Sequence, residues 1–457
     1  MSTPLLSEEH VAINVDDNQT YGHLLVVGGG PVGLSMAAAL LGKFKKVTIV
    51  EKFDRPTYIK LAGDVTKSHP IILAPWIPGW WEKTGMWDKM LAAGTHSDQT
   101  CVHPFPGKQI RTEVDKTALC RSTIVGMLWE QLDALDGVEI HFGTTVRAVN
   151  FDKRTATLTN DVEVDYDMMI GADGVHSTTR QFIADRKMKK SLVLPSERKS
   201  FFTKEKGSKY IVWTPPPLSS MKGKCPGHGG HVFSNWGYGF FDKNDNRISK
   251  VTCAVPLGMT VEEALWPKIK MTFVTHFGCD EAETKKCLLD HESLRFNIVE
   301  CDSFVEASDR VCLVGDASTA FLTTGDLMNM GMAVAAGLAE MIVDPERANQ
   351  PLEEILTEWD GSFANAMRTY AASDYKKSIN KMTGYSGLEL VSFLIGGKTG
   401  MTGQHPLEAV HKDPNFDMTK CIAGYQADKN KLGYGSALCC TAFCGLIGGA
   451  VALAILL

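Results

Sequence analysis

A chain of 457 residues is too long for one small core; it has room for an α/β domain, a second domain interleaved with it and a C-terminal segment. A net charge of −6, with both signs mixed along the chain, excludes the basic footprint of a nucleic-acid binder. Twelve cysteines with no regular framework and no C-x-x-C exclude a disulfide scaffold; they fit reduced thiols, as at Cys253 and Cys312 in apolar runs.

Residues 1–20 are polar and acidic and read as a mobile tail without a signal peptide. The first predicted element is an apolar strand ending at Val26-Val27. Gly28-Gly29-Gly30-Pro31-Val32-Gly33, a helical run, the strand Val47-Thr48-Ile49-Val50 and Glu51 follow. This is G-x-G-x-x-G with its acid 18 residues past the last glycine. Gly28 suits the tight turn, Gly30 lets a pyrophosphate approach the backbone, and Gly33 lets the helix pack close to the sheet. The helix N-terminus offers free N–H groups to phosphates. Glu51 is placed for a ribose diol, which points to FAD or NAD rather than NADP.

Residues 74–87 carry Trp76, Trp80, Trp81 and Trp87, best read as core packing. Residues 138–170 alternate apolar and polar, as in Val146–Phe151 and Thr155–Thr159, which predicts antiparallel strands. The apolar run Met168-Met169-Ile170 then enters Gly171-Ala172-Asp173-Gly174-Val175-His176-Ser177-Thr178-Thr179-Arg180, a G-A-D-G-x-x-S-x-x-R element. Between Pro215 and Gly230 the chain is rich in proline and glycine. Cys225 and His228 fall there and His231 directly follows, but zinc needs four ligands, so an exposed loop is expected. A further strand from Arg310 ends in Gly315-Asp316-Ala317 and leads through Thr323-Thr324-Gly325 to a helix starting near Leu327-Met328-Asn329. Residues 350–395 read as helical.

Residues 436–457 contain no charge. As a helix they rise about 33 Å, enough to span the hydrocarbon core. Lys429 and Lys431 precede them, as expected for a cytosolic globular part. The expectation is a single-pass tail anchor in the endoplasmic reticulum or outer mitochondrial membrane. Gly445 and Gly449 are spaced for close helix pairing, which permits a helix-mediated dimer.

The three glycine-rich elements, in this order over residues 20–345, resemble the group A flavoprotein monooxygenases, the aromatic-hydroxylase class. The resemblance implies an α/β fold. A Rossmann-type FAD-binding domain (21–194 and 301–345) is interleaved with a mixed-sheet substrate domain (195–300) whose inner face covers the flavin ring. A helical region (346–435) and the membrane helix (436–457) complete it. It also implies site roles. Gly28, Gly30, Gly33 and Glu51 match the first FAD motif. Arg121 looks like the arginine that opens a helix and contacts the FAD phosphates. Asp173, with Gly174, matches the element that serves both FAD and the passing NADPH. Asp316 matches the aspartate on the ribityl or pyrophosphate side, and Leu327, Met328 and Asn329 fall where backbone N–H groups face flavin N1 and O2.

In this class NADPH, or NADH, reduces FAD, O2 adds at flavin C4a, and the hydroperoxide hydroxylates or epoxidises a small aromatic or lipophilic substrate. No nucleophile or acid–base pair is needed, and no second G-x-G-x-x-G marks a separate nucleotide domain. The last motif departs from the usual pattern: Ser318-Thr319 follow Gly315-Asp316-Ala317, no proline comes next, and Leu327 stands where a glycine is common. A C-terminal membrane helix is similar to that of kynurenine 3-monooxygenases and, more distantly, of squalene and terpenoid epoxidases. The arginine and tyrosine that hold the kynurenine carboxylate are missing from Thr95–Phe105, and a lipophilic substrate suits an anchor better. A flavin-dependent reductase of isoprenoid double bonds and a non-catalytic flavoprotein stay open beside the monooxygenase.

Overall fold

The computed structural model describes residues 21–63, 70–73, 86–103, 110–186, 191–195, 208–222, 229–233, 237–241, 249–256, 258–294, 297–320, 327–369 and 371. Two sheets organise them. The first has six strands in the order β18-β19-β10-β1-β2-β6. These are β1 (Tyr21–Val27), β2 (Phe44–Glu51), β6 (Val138–Phe142), β10 (Met168–Gly171), β18 (Val305–Glu306) and β19 (Val311–Leu313). All pairs are parallel except β18 with β19. Leu24, Leu25 and Val26 are fully buried, as a parallel strand covered on both faces requires. Helix α1 (Pro31–Leu40) starts on a proline, whose ring presets φ for the first turn. It packs against α4 (Arg121–Asp133) and α8 (Leu327–Val343). Helix α2 (Arg55–Gly63) also lies on α4.

The second sheet has eight strands in the order β16-β12-β15-β14-β13-β4-β5-β3. Five come from the stretch assigned to the substrate domain: β12 (Ser208–Trp213), β13 (Gly229–Phe233), β14 (Gly237–Phe241), β15 (Lys250–Pro256) and β16 (Glu292–Leu294). The other three do not. β3 (Pro70–Ile72), β4 (Thr95–His103) and β5 (Ile110–Cys120) come from inside 21–194, so the boundary at residue 195 does not follow the sheets. The join is the parallel pair β4–β13, with Gly230 opposite Thr100 and Phe233 opposite His103. A parallel pair so distant in sequence leaves no local pattern to read. Two smaller sheets complete the set. β7 (Val146–Asn150), β8 (Thr155–Leu158) and β9 (Glu163–Asp165) are antiparallel, as their alternation predicts. β11 (Ser191–Pro195) pairs with β17 (Asn297–Cys301).

One face of the large sheet is covered by α6 (Val261–Ile269), a π-type segment at Lys270–His276 and α7 (Glu281–Leu289). Thr260 starts α6 with a full capping box to Glu263, and Pro267 lies near its end. The short helices α3 (Trp87–Ala93), α5 (Thr178–Arg186) and α9 (Leu352–Trp359) fill the remaining layers. α9 is fixed to α8 by the Trp359 indole N–H, which donates to the Val334 carbonyl at 3.0 Å. Helix continues to residue 369, and the rest of the helical stretch expected to 395 lies outside the described residues except for 371. Trp76, Trp80 and Trp81 lie outside them too, whereas Trp87 packs against the main core. No helix among the described residues is long and apolar enough to cross a membrane, and residues 436–457 lie outside that set.

His231 corrects one expectation. It is not on an exposed loop but fully buried in β13, with its Nδ1 3.0 Å from Nε2 of His103. No metal cluster occurs among the described residues; Cys225 and His228 are outside them. Burial among Phe233, Phe277 and His231 lowers the His103 pKa to about 4. The unfolded chain, with a histidine pKa of about 6.5, therefore takes up this proton first as pH falls. Stability is then lost from about pH 6.5 down to about pH 4, by on the order of 3 kcal/mol. Denaturant titrations stepped through this range should show the loss in the wild type and a smaller one in His103→Phe.

Candidate functional site

The carboxyl ends of β1, β10 and β19 stand side by side, and the three glycine-rich elements leave from them. Backbone bonds hold the ends level. Gly28 N–H donates to Val50 O at 2.8 Å, Ala172 N–H to Val27 O at 2.7 Å, and Val314 N–H to Gly171 O at 2.9 Å. This is the crevice at the carboxyl edge where open α/β sheets hold ligands.

The glycines divide into two kinds. Gly28 has φ +110°, and a methyl there would lie 2.5 Å from Ala172 O. A methyl on Gly33 would lie 2.1 Å from Gly28 O and 3.1 Å from the Ala172 methyl. Gly315, at φ +60°, abuts Val32, and Gly331 of α8 would press a methyl to 3.0 Å from the Gly315 Cα. These positions pack the three elements against one another. Gly30 and Gly174 are different. Among the described residues, a methyl on Gly30 would meet nothing nearer than the Arg121 guanidinium at 3.9 Å, and one on Gly174 nothing within 4 Å. Both are open toward the crevice as far as those residues go.

The charged residues are arranged around that space. Arg121 is the first residue of α4, delivered there directly by β5. Glu51 is buried at the end of β2; its Oε2 accepts from Gly29 N–H at 2.8 Å and its Oε1 from Phe53 N–H at 3.0 Å. Tyr58 of α2 donates its hydroxyl to Gly29 O at 2.8 Å. Burial, and then the Glu51 charge, raise the Tyr58 pKa. Asp173 accepts from the Thr178 and Thr179 N–H groups at 2.8 and 3.1 Å and from the Ser177 hydroxyl, so it caps α5. Gly174 follows with φ +78°. Asp316 opens to the crevice, yet protein crowds it closely enough to push its carboxyl above the ordinary range; the Arg121 charge works against that rise. α8 begins at Leu327, Met328 is half-buried against the core, and Asn329 is fully buried in the first turn. All the expected site residues thus gather at one edge of the sheet.

Two further residues belong with them. Arg180 is 4% exposed. Its two terminal nitrogens donate to Ala317 O at 2.9 Å and Val175 O at 2.8 Å, tying the middle element to the last one. Burial lowers its pKa. It ends the G-A-D-G-x-x-S-x-x-R pattern, so its presence was legible but not its partners. Tyr58 carried no sequence signal at all.

Residues 22–352 match the FAD binding domain family, and the chain belongs to that family. It is similar to the FAD-dependent monooxygenase ntnJ of Nectria sp, 26% identical over 192 residues, which is 38% of this chain and 40% of that protein. It is also 28% identical over 172 residues to the FAD-dependent monooxygenase atnJ of Arthrinium sp, 35% of this chain and 37% of that one. The matched stretch thus spans about two fifths of each relative's length. Among solved structures, the fold is shared with p-nitrophenol 4-monooxygenase PnpA from Pseudomonas putida DLL-E4 at a TM-score of 0.62 and 15% identity, covering 90% of this chain and 99% of that one. It is shared as well with 2-methyl-3-hydroxypyridine-5-carboxylic acid oxygenase at a TM-score of 0.59 and 18% identity, covering 79% and 93%.

The two kinds of glycine separate in a stability measurement. Gly33→Ala drives a methyl into a backbone carbonyl and is expected to cost about 3 kcal/mol or more. Gly30→Ala only exchanges one helix-starting residue for a poorer one, a cost of about 1 kcal/mol or less. Thermal unfolding of the two variants checks the ordering.

Proposed function

We propose that this protein is an FAD-dependent monooxygenase that takes reducing equivalents from NADPH or NADH and transfers one oxygen atom of O2 to a small aromatic or lipophilic substrate. The observation that carries the reading is the meeting of three glycine-rich elements at one strand edge, with Gly30 and Gly174 left open and Arg121 beside Gly30. These residues fit FAD. The open glycines admit a pyrophosphate to the backbone, the α1 N-terminus supplies N–H groups, and Arg121 supplies positive charge. Glu51, already bonded to Gly29, keeps acceptor capacity for the adenosine ribose. With FAD bound, Asp316 would sit on the ribityl or pyrophosphate side, and the first turn of α8, which starts at Leu327, would offer backbone N–H groups to the flavin pyrimidine. Asp173 serves the site through the α5 start that it caps. Bound there, FAD supplies the electron transfer and oxygen chemistry, while the protein binds, orients and excludes water.

The test is a spectrum and two rates. The wild type should purify with a flavin absorbance band that NADPH bleaches anaerobically and O2 restores. Gly30→Val should fold but lose flavin, and Arg121→Ala should weaken FAD binding by about 1.5–3 kcal/mol in a titration of apoprotein. Colourless wild-type protein sinks the reading. Reduction without substrate-coupled oxygen uptake would turn it toward a reductase of double bonds or a non-catalytic flavoprotein.

We further propose that residues 436–457 cross a membrane as a helix, with the FAD domain on the cytosolic side. The support is their lack of charge over a spanning length and the lysines at 429 and 431. The spacing of Gly445 and Gly449 suits a helix-mediated dimer within the bilayer. Full-length protein should resist carbonate extraction, and deletion of 436–457 should release it to the soluble fraction with flavin still bound. Recovery of the full-length chain in the carbonate supernatant would overturn the proposal.

A further inference from the structure

Gly29, the middle residue of the first glycine turn, is gripped from both sides. It is buried. Its N–H donates to Glu51 Oε2 at 2.8 Å, and its carbonyl accepts from the Tyr58 hydroxyl at 2.8 Å. A methyl on Gly29 would lie 2.9 Å from Glu51 Oε2 and 3.3 Å from the Tyr58 ring. The position is glycine because these two side chains close on it.

The Gly29 carbonyl and the Gly30 N–H belong to one peptide. No described peptide is cis, and in a trans peptide these two groups point in opposite directions. A carbonyl held toward α2 by Tyr58 therefore turns the Gly30 N–H away from α2. The Gly30 carbonyl is already committed to α1, where it accepts from the Leu34 N–H at 3.0 Å. The next residue, Pro31, has no N–H to offer. The Gly30 N–H is thus the donor on which the start of α1 relies at this point. A peptide between two glycines is also the easiest to turn over, because neither flank carries a Cβ that resists rotation. The turn needs a hold on that carbonyl from outside.

Tyr58 is seated firmly enough to supply it. The residue is 5% exposed. Its ring lies edge-on to Trp129 of α4 at 6.3 Å and tilted against Phe142 of β6 at 5.3 Å. Arg55 closes the seat: its guanidinium lies 5.6 and 6.0 Å from those two rings and donates to Asp133 at 2.6 Å. Packing of this kind needs only a ring, and phenylalanine would fill the same place. What the hydroxyl adds is the bond to Gly29.

We propose that Tyr58 is a positioning residue for the cofactor: by holding the Gly29 carbonyl, it aims the Gly30 N–H at the FAD pyrophosphate. This deepens the FAD reading given above and rests on it.

The experiment uses full-length holoprotein. Free FAD in equilibrium with it is measured by ultrafiltration over a dilution series, which gives the dissociation constant. Phosphorus NMR of the bound pyrophosphate and the flavin absorbance band are recorded on the same samples. Tyr58→Phe keeps the ring and removes the hydroxyl. It should weaken FAD binding about tenfold and move the pyrophosphate signals, with the flavin band and the melting temperature at saturating FAD close to wild type. Trp129→Phe loosens the seat and keeps the hydroxyl. It should lower the melting temperature and leave the pyrophosphate signals in place. Unchanged FAD affinity or unchanged phosphorus signals in Tyr58→Phe overturn the proposal. So does a Trp129→Phe protein with the same phosphorus shift, or a Tyr58→Phe protein that does not fold, since either makes the role one of packing. Failure of the FAD reading shows itself separately, as wild-type protein that carries no flavin and gives no pyrophosphate signal.

Discussion

The structure depends on one close approach of backbone to backbone. The first turn of α1 lies so near the end of β1 that the Gly33 Cα leaves no room for a methyl against the Gly28 carbonyl. That contact fixes where the helix N-terminus sits relative to the strand edge, and so where its free N–H groups point. Gly315 against Val32, and Gly331 against Gly315, repeat the device one element further on. The starts of α1 and α8 are thereby brought to a common crevice with only small groups between them. What remains open, at Gly30 and Gly174, is the space that a pyrophosphate needs.

The polar groups around the crevice mostly bind the protein itself. Glu51 holds Gly29 and Phe53, Asp173 holds the start of α5, and Arg180 holds Val175 and Ala317. Each is a charged group bonded to backbone at a loop, where a neutral bond would be weaker. Loops set in advance lose less entropy when a ligand arrives, so this internal bonding favours affinity even where it leaves fewer groups for direct contact. Arg121 and Asp316 stand apart, since they face the crevice, where the Arg121 charge works against the rise that burial imposes on the Asp316 carboxyl.

The second sheet divides its labour by face. Under α6 and α7 lies an aromatic core, with Trp213, Phe273, Phe233 and Phe241 in tilted and edge-on contacts. Even the His103–His231 pair is absorbed there, stacked on Phe233, where burial lowers the His103 pKa. The opposite face is less uniform, apolar at Val212 and Phe240 and charged at Lys250.

The sequence alone determined the parts that depend on local geometry. The strand–turn–helix at 24–40, the antiparallel strands at 146–165, the strand before Gly171 and the helix from Leu327 all follow from glycine placement and apolar period, and all are present. So does the gathering of Gly28, Asp173 and Asp316, because each follows a strand that ends at the same sheet edge, whereas Arg121 reaches that edge from β5 of the other sheet. The tertiary structure decided what depends on contact between distant residues. Nothing near residues 95–120 says that they pair with residue 230, since a parallel partner so far along the chain imposes no periodicity of its own. His231 looked exposed among glycines, yet a strand from another region buried it. Arg180 and Tyr58 acquired their roles only when Ala317 and Gly29 came within reach. Composition can mark a residue as able to bond, but only the folded neighbours settle which group it meets.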